Sequence, residues 1–325
     1  MELLRLRDLS VDYRVKDGYL SAVRDVNLTI NKAEIFAIVG ESGCGKSTVA
    51  HSIMRLLDKR NARVTGEILF QGENLADLTD RQLTKIRGRD IGMIFQNPLD
   101  SLNPVYMTGA QVSEAILLDG GNKKEAWDKV VSLYQSVHMP DAPKRVRAFP
   151  HEMSGGMRQR VMIAMMLSRN PALLIADEPT TALDVTIEAQ ILEIILDLKR
   201  KYQTAVMMIT HNFGLVAEIA DRVAIMYAGE VVERGTVYEV FDHPAHPYTA
   251  LLMEALPRMT KKEGRLRTID GTVPRLLSKK SGCRFYNRCP VHLPVCENTD
   301  PESRTLSDTH DYRCHRDRSG EGVGT

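Results

Sequence analysis

Eight consecutive residues, Gly40-Glu41-Ser42-Gly43-Cys44-Gly45-Lys46-Ser47, match the pattern G-x-x-x-x-G-K-S/T. The chemistry open to such a run is the capture of phosphate. Glycines let the backbone wrap closely, so that successive amide N–H groups and the N-terminus of the following helix point at phosphate oxygens. Lys46 would then reach the β- and γ-phosphates of a nucleotide, and the Ser47 hydroxyl would hold Mg²⁺. The flanks agree: an apolar, β-rich run at 35–39 precedes the loop, and a helix-compatible run at 48–57 follows it. Gly40, Ser42, Gly43, Cys44, Gly45, Lys46, Ser47 and Thr48 are the expected lining of a nucleotide site. Cys44 lies in the same loop but at a variable position of the pattern, and reads as a bystander.

A second constellation is Leu173-Leu174-Ile175-Ala176-Asp177-Glu178. Four apolar residues predict a buried strand that delivers two carboxylates at its end. In that position Asp177 orients Mg²⁺ or its water ligands, and Glu178 accepts a proton from an attacking water. A strand ending in Asp-Glu is, by itself, as readily a strand ending in solvated charges. The phosphate loop upstream favours the catalytic reading.

The elements that must position these groups alternate. Apolar runs bounded by turn residues at 35–39, 173–176, 206–210 and 223–226 predict a central sheet. Ile187, Ile191, Ile194, Ile195 and Leu198 fall at helical spacing within 183–202, with one face toward that sheet. An α/β fold follows. From about 97 to 168 the strand pattern is interrupted by helical segments at 112–118 and 125–137, which read as an inserted helical subdomain. After Pro257 charged residues, prolines and cysteines replace the apolar periodicity, so a domain over 1–257 and a small, separately stabilised extension over 258–325 are expected.

The chain has 325 residues, 43% hydrophobic and 26% charged, with a formal net charge of +1. That composition supports a sizeable core and predicts no strong global attraction to nucleic acid. The N-terminus shows no secretory signal, which predicts a cytosolic chain, and the longest apolar stretch, 161–176, is broken by Ser168, Arg169, Asn170 and Pro171. A membrane link is therefore expected to be peripheral. Four of the five cysteines, Cys283, Cys289, Cys296 and Cys314, crowd into the C-terminal stretch with the spacing C-x5-C-x6-C-x17-C. In a reducing compartment such a cluster reads as a metal or iron–sulfur site rather than as two disulfides. His292, His310 and His315 lie close enough in sequence to leave a mixed Cys/His site open.

Met153-Ser154-Gly155-Gly156-Met157-Arg158-Gln159-Arg160 resembles the signature of the ABC transporter ATPase family, and the resemblance extends over about the first 255 residues. Physically, a Ser-Gly-Gly turn opening a helix at 157–167 makes an anion-binding N-terminus. Gln96, Thr181-Ala182-Leu183-Asp184 and His211 follow in the family's order. The resemblance implies a P-loop NTPase fold of ABC type, carrying a helical subdomain and a small Cys-rich extension. It further implies that Ser154, Gly155 and Gly156 meet ATP held by an opposite subunit. By the same resemblance Gln96 senses Mg²⁺ or water and links to the membrane subunits, Asp184 helps the dimer interface, and His211 contacts the γ-phosphate. Tyr13 corresponds to the aromatic that stacks on adenine. Glu178, His211, Lys46 and Gln96 form the expected catalytic set.

Phe95-Gln96-Asn97-Pro98-Leu99-Asp100-Ser101-Leu102-Asn103-Pro104, His246-Pro247-Tyr248-Thr249, Gly271-Thr272-Val273-Pro274 and Gly282-Cys283-Arg284-Phe285 resemble the dipeptide and oligopeptide importer branch. What that branch implies is a peripheral subunit on the cytoplasmic face of the membrane that hydrolyses ATP, with Mg²⁺, to power peptide import. Its expected partners are a second ABC ATPase subunit, two transmembrane permease subunits and, indirectly, an external substrate-binding protein, but no nucleic acid. The same branch implies a 4Fe–4S cluster on Cys283, Cys289, Cys296 and Cys314, with zinc as the alternative. Nickel, glutathione or oligosaccharide import are the alternative cargoes, and a soluble ABC ATPase acting on nucleic acid is the rival function.

Overall fold

The computed structural model describes residues 1–16, 18–96, 101–118, 120, 122–179, 185–255, 269, 271–274 and 281–317, with backbone alone at 185–187 and 198. Two compact units divide the chain. One takes residues 2–29, 36–76 and those described after 209; the other takes Met1, 30–35 and 77–209.

The first unit begins with β1 (Glu2–Val15) and β2 (Gly18–Asn31), continues through β3 (Ile35–Val39) and α1 (Lys46–Ile53), and reaches β4 (Ala62–Phe70) and β5 (Glu73–Asn74). Strands β2, β1, β4 and β5 form an antiparallel sheet in that order. Its register runs from Leu4 opposite Phe70 to Tyr13 opposite Ala62, with an irregularity between Arg7 and Ser10. Asp8 sits there at φ +49°, so the inward face changes phase, and Leu4 and Leu6 before it and Leu9 and Val11 after it are all buried. Gly66 faces the bulge: a Cβ on it would stand 2.4 Å from the Asp8 carbonyl oxygen. The bulge breaks the alternating period that would otherwise mark β1 in the sequence.

The second unit follows with α2 (Asp80–Ile86), β6 (Ile91–Ile94), α3 (Thr108–Leu117), α4 (Lys123–Ser136), α5 (Ala142–Arg145), α6 (Gly155–Leu167), β7 (Leu173–Asp177), α7 (Val185–Asp197) and β8 (Ala205–Thr210). Strands β6, β7 and β8 pair in parallel, with Ile94 beside Ala176 and Ala176 beside Met208. Every residue of β7 and β8 is buried, as a continuous apolar run requires of a parallel strand. The helices α3 to α6 lie where the sequence interrupts the strand pattern. The helix expected over 183–202 ends its α-helical part at Asp197. A π-helical turn, Leu198–Tyr202, carries it on, and Gln203 at φ +54° stops it.

The chain returns to the first unit with α8 (Phe213–Ile219), β9 (Arg222–Tyr227), β10 (Glu230–Thr236), α9 (Val237–Asp242), α10 (Pro247–Ala255), β11 (Ser303–Thr305) and β12 (Asp311–Arg313). Here β11, β12, β10, β9 and β3 are neighbours in that order, with β3 and β9 parallel and the others antiparallel. The described tail is not a body of its own. Phe285, 1% exposed, packs its ring 5.0 Å from Tyr227 and 5.3 Å from Tyr248. Burying such a ring contributes about 1.5–3 kcal/mol, which a stretch too short to make a core can obtain only from its neighbour. The buried Glu233 carboxylate completes the docking: it accepts from the Ala245 and His246 amides at 2.7 and 2.8 Å and pairs with His310 Nε2 at 2.8 Å. Among the described residues no helix is long and apolar enough to cross a membrane.

Candidate functional site

In the first unit, fully buried β3 runs into the glycine loop and α1 leaves it. Two of the loop glycines are obligatory. A Cβ on Gly40 would fall 2.1 Å from the Met226 carbonyl oxygen, and one on Gly45 2.5 Å from that of Ala22. Gly45 is also the N-cap of α1 at φ +105°, a conformation that L side chains rarely adopt. Lys46, 5% exposed, donates from Nζ to the Gly40 and Glu41 carbonyls at 2.8 and 3.0 Å, which holds its ammonium over the loop's first peptides. Cys44 is fully buried beneath the loop, and burial foremost raises its thiol pKa, against the lowering influence of Lys46. Tyr13 lies on β1 with its hydroxyl 3.5 Å from the Thr48 hydroxyl that follows Ser47, and His211 is exposed just beyond β8.

In the second unit β7 delivers the acidic pair. Asp177, 2% exposed, closes the strand beside Ile209 of β8. Glu178 leaves it at φ +48°, its amide donating to the Ile209 carbonyl at 2.8 Å. A glutamate in the left-handed region is strained, and strain of that kind collects at functional positions. The turn redirects its side chain so that Glu178 Oε2 accepts from Gln96 Nε2 at 3.0 Å. Ser154 caps α6, its hydroxyl accepting the Met157 amide at 3.3 Å, with Gly155 and Gly156 as the first two helical residues. Asp184 and the other residues of 181–184 lie outside the described residues, as do 97–100 of the importer-like stretch.

Four contributors, Gln159, Glu41, Tyr248 and Arg288, are given no role by the sequence reading and acquire one only in the fold. Gln159, buried in α6, donates to the Pro179 carbonyl at 2.6 Å and so fastens the signature helix to the turn after Glu178. Glu41, a variable position of the loop pattern, has its amide bonded to the Tyr248 hydroxyl at 3.2 Å and its carboxylate to Arg288 at 3.0 and 3.1 Å. Its place inside the eight-residue pattern was the one available signal.

The C-terminal cysteines behave differently from expectation. No disulfide joins any of the five cysteines. Among the described residues no three His, Cys, Asp or Glu side chains gather closely enough to hold a metal ion, so a preassembled four-thiolate site is not formed. His292 and His315 instead bond the Cys289 and Thr299 carbonyls at 2.9 Å, and His310 serves Glu233. Burial first, with smaller contributions from Cys296, Cys314 and Cys289, pushes the Cys283 thiol up to about 12. The Cys289 thiol is raised too, by burial first and then by Cys314 and Cys296.

A strand–glycine loop–helix bearing Lys46, a buried strand ending in Asp177 and Glu178, and a Ser-Gly-Gly helix start define a P-loop ATPase of the ATP-binding cassette class. The chain belongs to the ABC transporter family, whose model matches residues 23–181. A second model, described as the oligopeptide/dipeptide transporter C-terminal region, matches residues 232–296. The chain is 47% identical to a probable peptide ABC transporter ATP-binding protein of Sinorhizobium fredii, over 97% of this chain and 95% of that protein. It is 47% identical to the dipeptide transport ATP-binding protein DppD of Bacillus subtilis, over 96% of this chain and 94% of that one. Against the oligopeptide transport ATP-binding protein OppD of Salmonella typhimurium it is 47% identical over 92% of this chain and 89% of that one. A dimeric ATP-binding cassette solved in a post-hydrolysis state with ADP and Pi superposes with a TM-score of 0.66 at 27% identity, covering 72% of this chain and 99% of that one. This protein is therefore the ATP-binding, ATP-hydrolysing subunit of an ABC transporter.

Proposed function

We propose that this subunit powers import of di- or oligopeptides, working as half of an ATPase pair on the cytoplasmic face of a membrane. The contact that carries the hydrolytic assignment is the 3.0 Å bond between Gln96 and Glu178, which aims a carboxylate held on a strained turn. In this reading the glycine loop and Lys46 take the nucleotide phosphates, Tyr13 stacks on adenine, and His211 contacts the γ-phosphate. Glu178 accepts the proton of the attacking water while Gln96 orients it. Ser47 and Asp177 offer the oxygen donors that Mg²⁺ requires, and the ion supplies charge neutralisation when bound. Ser154, Gly155 and Gly156 present a capped helix start to the nucleotide of a sister subunit, with Asp184 at the joint interface, so each site draws on two chains. The motor domain is 1–257, with its helical subdomain at about 97–168, and 258–325 is the extension.

The permease partner docks on the helical subdomain. Support comes from a groove of about 430 Å³ lined by Asn103, Tyr106, Gln111, Glu114, Leu118 and Met165. Leu118 in its lining and Val105, next to Tyr106 in the chain, are 72% and 71% exposed. Peptide cargo is supported by the similarity to peptide-transport relatives over nearly the whole chain, including the C-terminal region. Proteoliposomes holding the assembled transporter and its binding protein test this: peptide should accumulate only with ATP, and uptake of nickel, glutathione or oligosaccharide in its place would reassign the cargo.

A metal on Cys283, Cys289, Cys296 and Cys314, as a 4Fe–4S cluster or zinc, is a finer part of the same proposal. What supports it is the donor set and the mutual influence of the thiols; the absence of a converged site among the described residues stands against it. Anaerobically purified protein should show visible absorption that a four-serine variant lacks, or stoichiometric zinc. Neither would remove the metal.

A further inference from the structure

The segment 284–288 of the tail lies against the phosphate loop, and its two arginines grip the loop's surroundings from behind. Arg288 is buried except for 7% of its side chain, and its guanidinium forms a two-pronged pair with the Glu41 carboxylate at 3.0 and 3.1 Å. Its remaining donors go to the Tyr227 hydroxyl at 3.3 Å and to the Ile269 and Gly271 carbonyls at 3.3 and 3.4 Å, so its direction is over-determined. The guanidinium also lies over the Tyr227 ring, 5.6 Å from its centroid. Arg284 donates to the Ala228 carbonyl and, at 2.9 Å, to the Ser21 hydroxyl, and pairs with Glu230 at 3.1 Å. The next residue, Gly229, donates its amide to the Cys44 carbonyl at 2.8 Å. Between the two arginines, Phe285 is sunk among Tyr227 and Tyr248, and Tyr248 holds the Glu41 amide.

Glu41 is thus held on three sides: side chain by Arg288, amide by Tyr248, carbonyl by Lys46. A two-pronged arginine–carboxylate pair fixes an orientation as well as a distance, and here it fixes the peptide next to Gly40. Binding of phosphate by backbone amides is tighter when the loop need not be ordered at the moment of binding.

We propose that Arg288 is a positioning residue for ATP binding: through Glu41 it locks the phosphate-binding loop in its receiving conformation, making the C-terminal segment part of the nucleotide site's support. This rests on the assignment of residues 40–47 to the nucleotide.

The test uses the full chain for ATP titration with Mg²⁺ and the assembled transporter for steady-state kinetics. Arg288→Ala should raise both the ATP Kd and the KM about five- to tenfold while kcat at saturating ATP stays within about twofold, the pattern of lost ground-state binding. Arg288→Lys, which keeps the charge but loses the fork, should fall between. The exchanged pair Glu41→Arg/Arg288→Glu should recover most of the affinity. Arg234→Ala, which cuts the 2.6 Å ion pair to Asp311 on the tail hairpin, serves as a control that loosens the tail away from the loop. An Arg288→Ala protein that melts earlier but binds ATP as well as the wild type or the Arg234→Ala control would overturn the proposal. So would failure of the exchanged pair to recover. Absence of ATP binding by the wild type would overturn the nucleotide assignment itself, a separate and recognisable result.

Discussion

Gln96 and Glu178, 82 residues apart, meet at 3.0 Å beyond the ends of two adjacent parallel strands. The pairing of Ile94 with Ala176 puts the two departures from the sheet side by side, and the left-handed turn at Glu178 closes the gap. Replacing the carboxylate by an amide should leave that hydrogen bond possible but remove the proton acceptor. Glu178→Gln is expected to bind ATP near wild-type affinity and to hydrolyse it about 10²–10⁴-fold more slowly, measured as phosphate release. Wild-type turnover would exclude Glu178 as the base.

Lys46 holds its ammonium against the Gly40 and Glu41 carbonyls. Lys46→Ala should lose a charge-assisted contact to phosphate and weaken ATP binding about 10- to 100-fold by equilibrium titration. Its melting temperature without nucleotide should change far less. Undiminished affinity would contradict the role given to Lys46.

Gly45 combines φ +105° with a carbonyl 2.5 Å from where a Cβ would stand. Gly45→Ala should cost about 1–3 kcal/mol in urea unfolding and shift the loop enough to abolish ATP binding. Gly43, at φ +80° with nothing within 4 Å of an added Cβ, provides the comparison: Gly43→Ala carries only the dihedral cost and should be the milder variant.

Glu239 fastens the tail hairpin to α9. Burial works to raise its pKa, but the hydroxyls of Ser307, Thr236 and Thr309 and the Thr236 amide hold it down at about 2, from an ordinary 4.5. A lowered pKa means that the fold favours the ionised form, so its contribution is complete above pH 4.5 and is lost as the pH falls toward 2. Denaturant unfolding followed from pH 6 to pH 2 should show that loss in the wild type and a flatter profile in Glu239→Gln. Parallel profiles would remove Glu239 from the acid response.

The phosphate loop, the acidic strand end and the Ser-Gly-Gly helix start were legible in the sequence because each is a short run whose chemistry depends on consecutive residues. The strands at β3, β7 and β8 were legible because parallel strands buried on both faces are continuous apolar runs. Expectations fared worse where the physics is not local. The bulge at Asp8 hid the antiparallel sheet, the π turn at Leu198–Tyr202 closes a helix that periodicity alone carries straight on, and C-x5-C-x6-C-x17-C suggested a converged thiolate site that the described residues do not make.

By itself, then, the sequence determined the class of chemistry, because phosphate capture is written in adjacent residues with special backbone freedom. Tertiary structure alone decided which distant groups support it. Nothing in the spacing of Glu41 and Arg288, or of Gln159 and Pro179, announces a contact; the first pair is set by the packing of the buried apolar neighbours Phe285, Tyr227 and Tyr248. Side-chain packing fixes them only after the chain has folded, which is why the tail, unremarkable as a string of residues, stands against the glycine loop at 40–47.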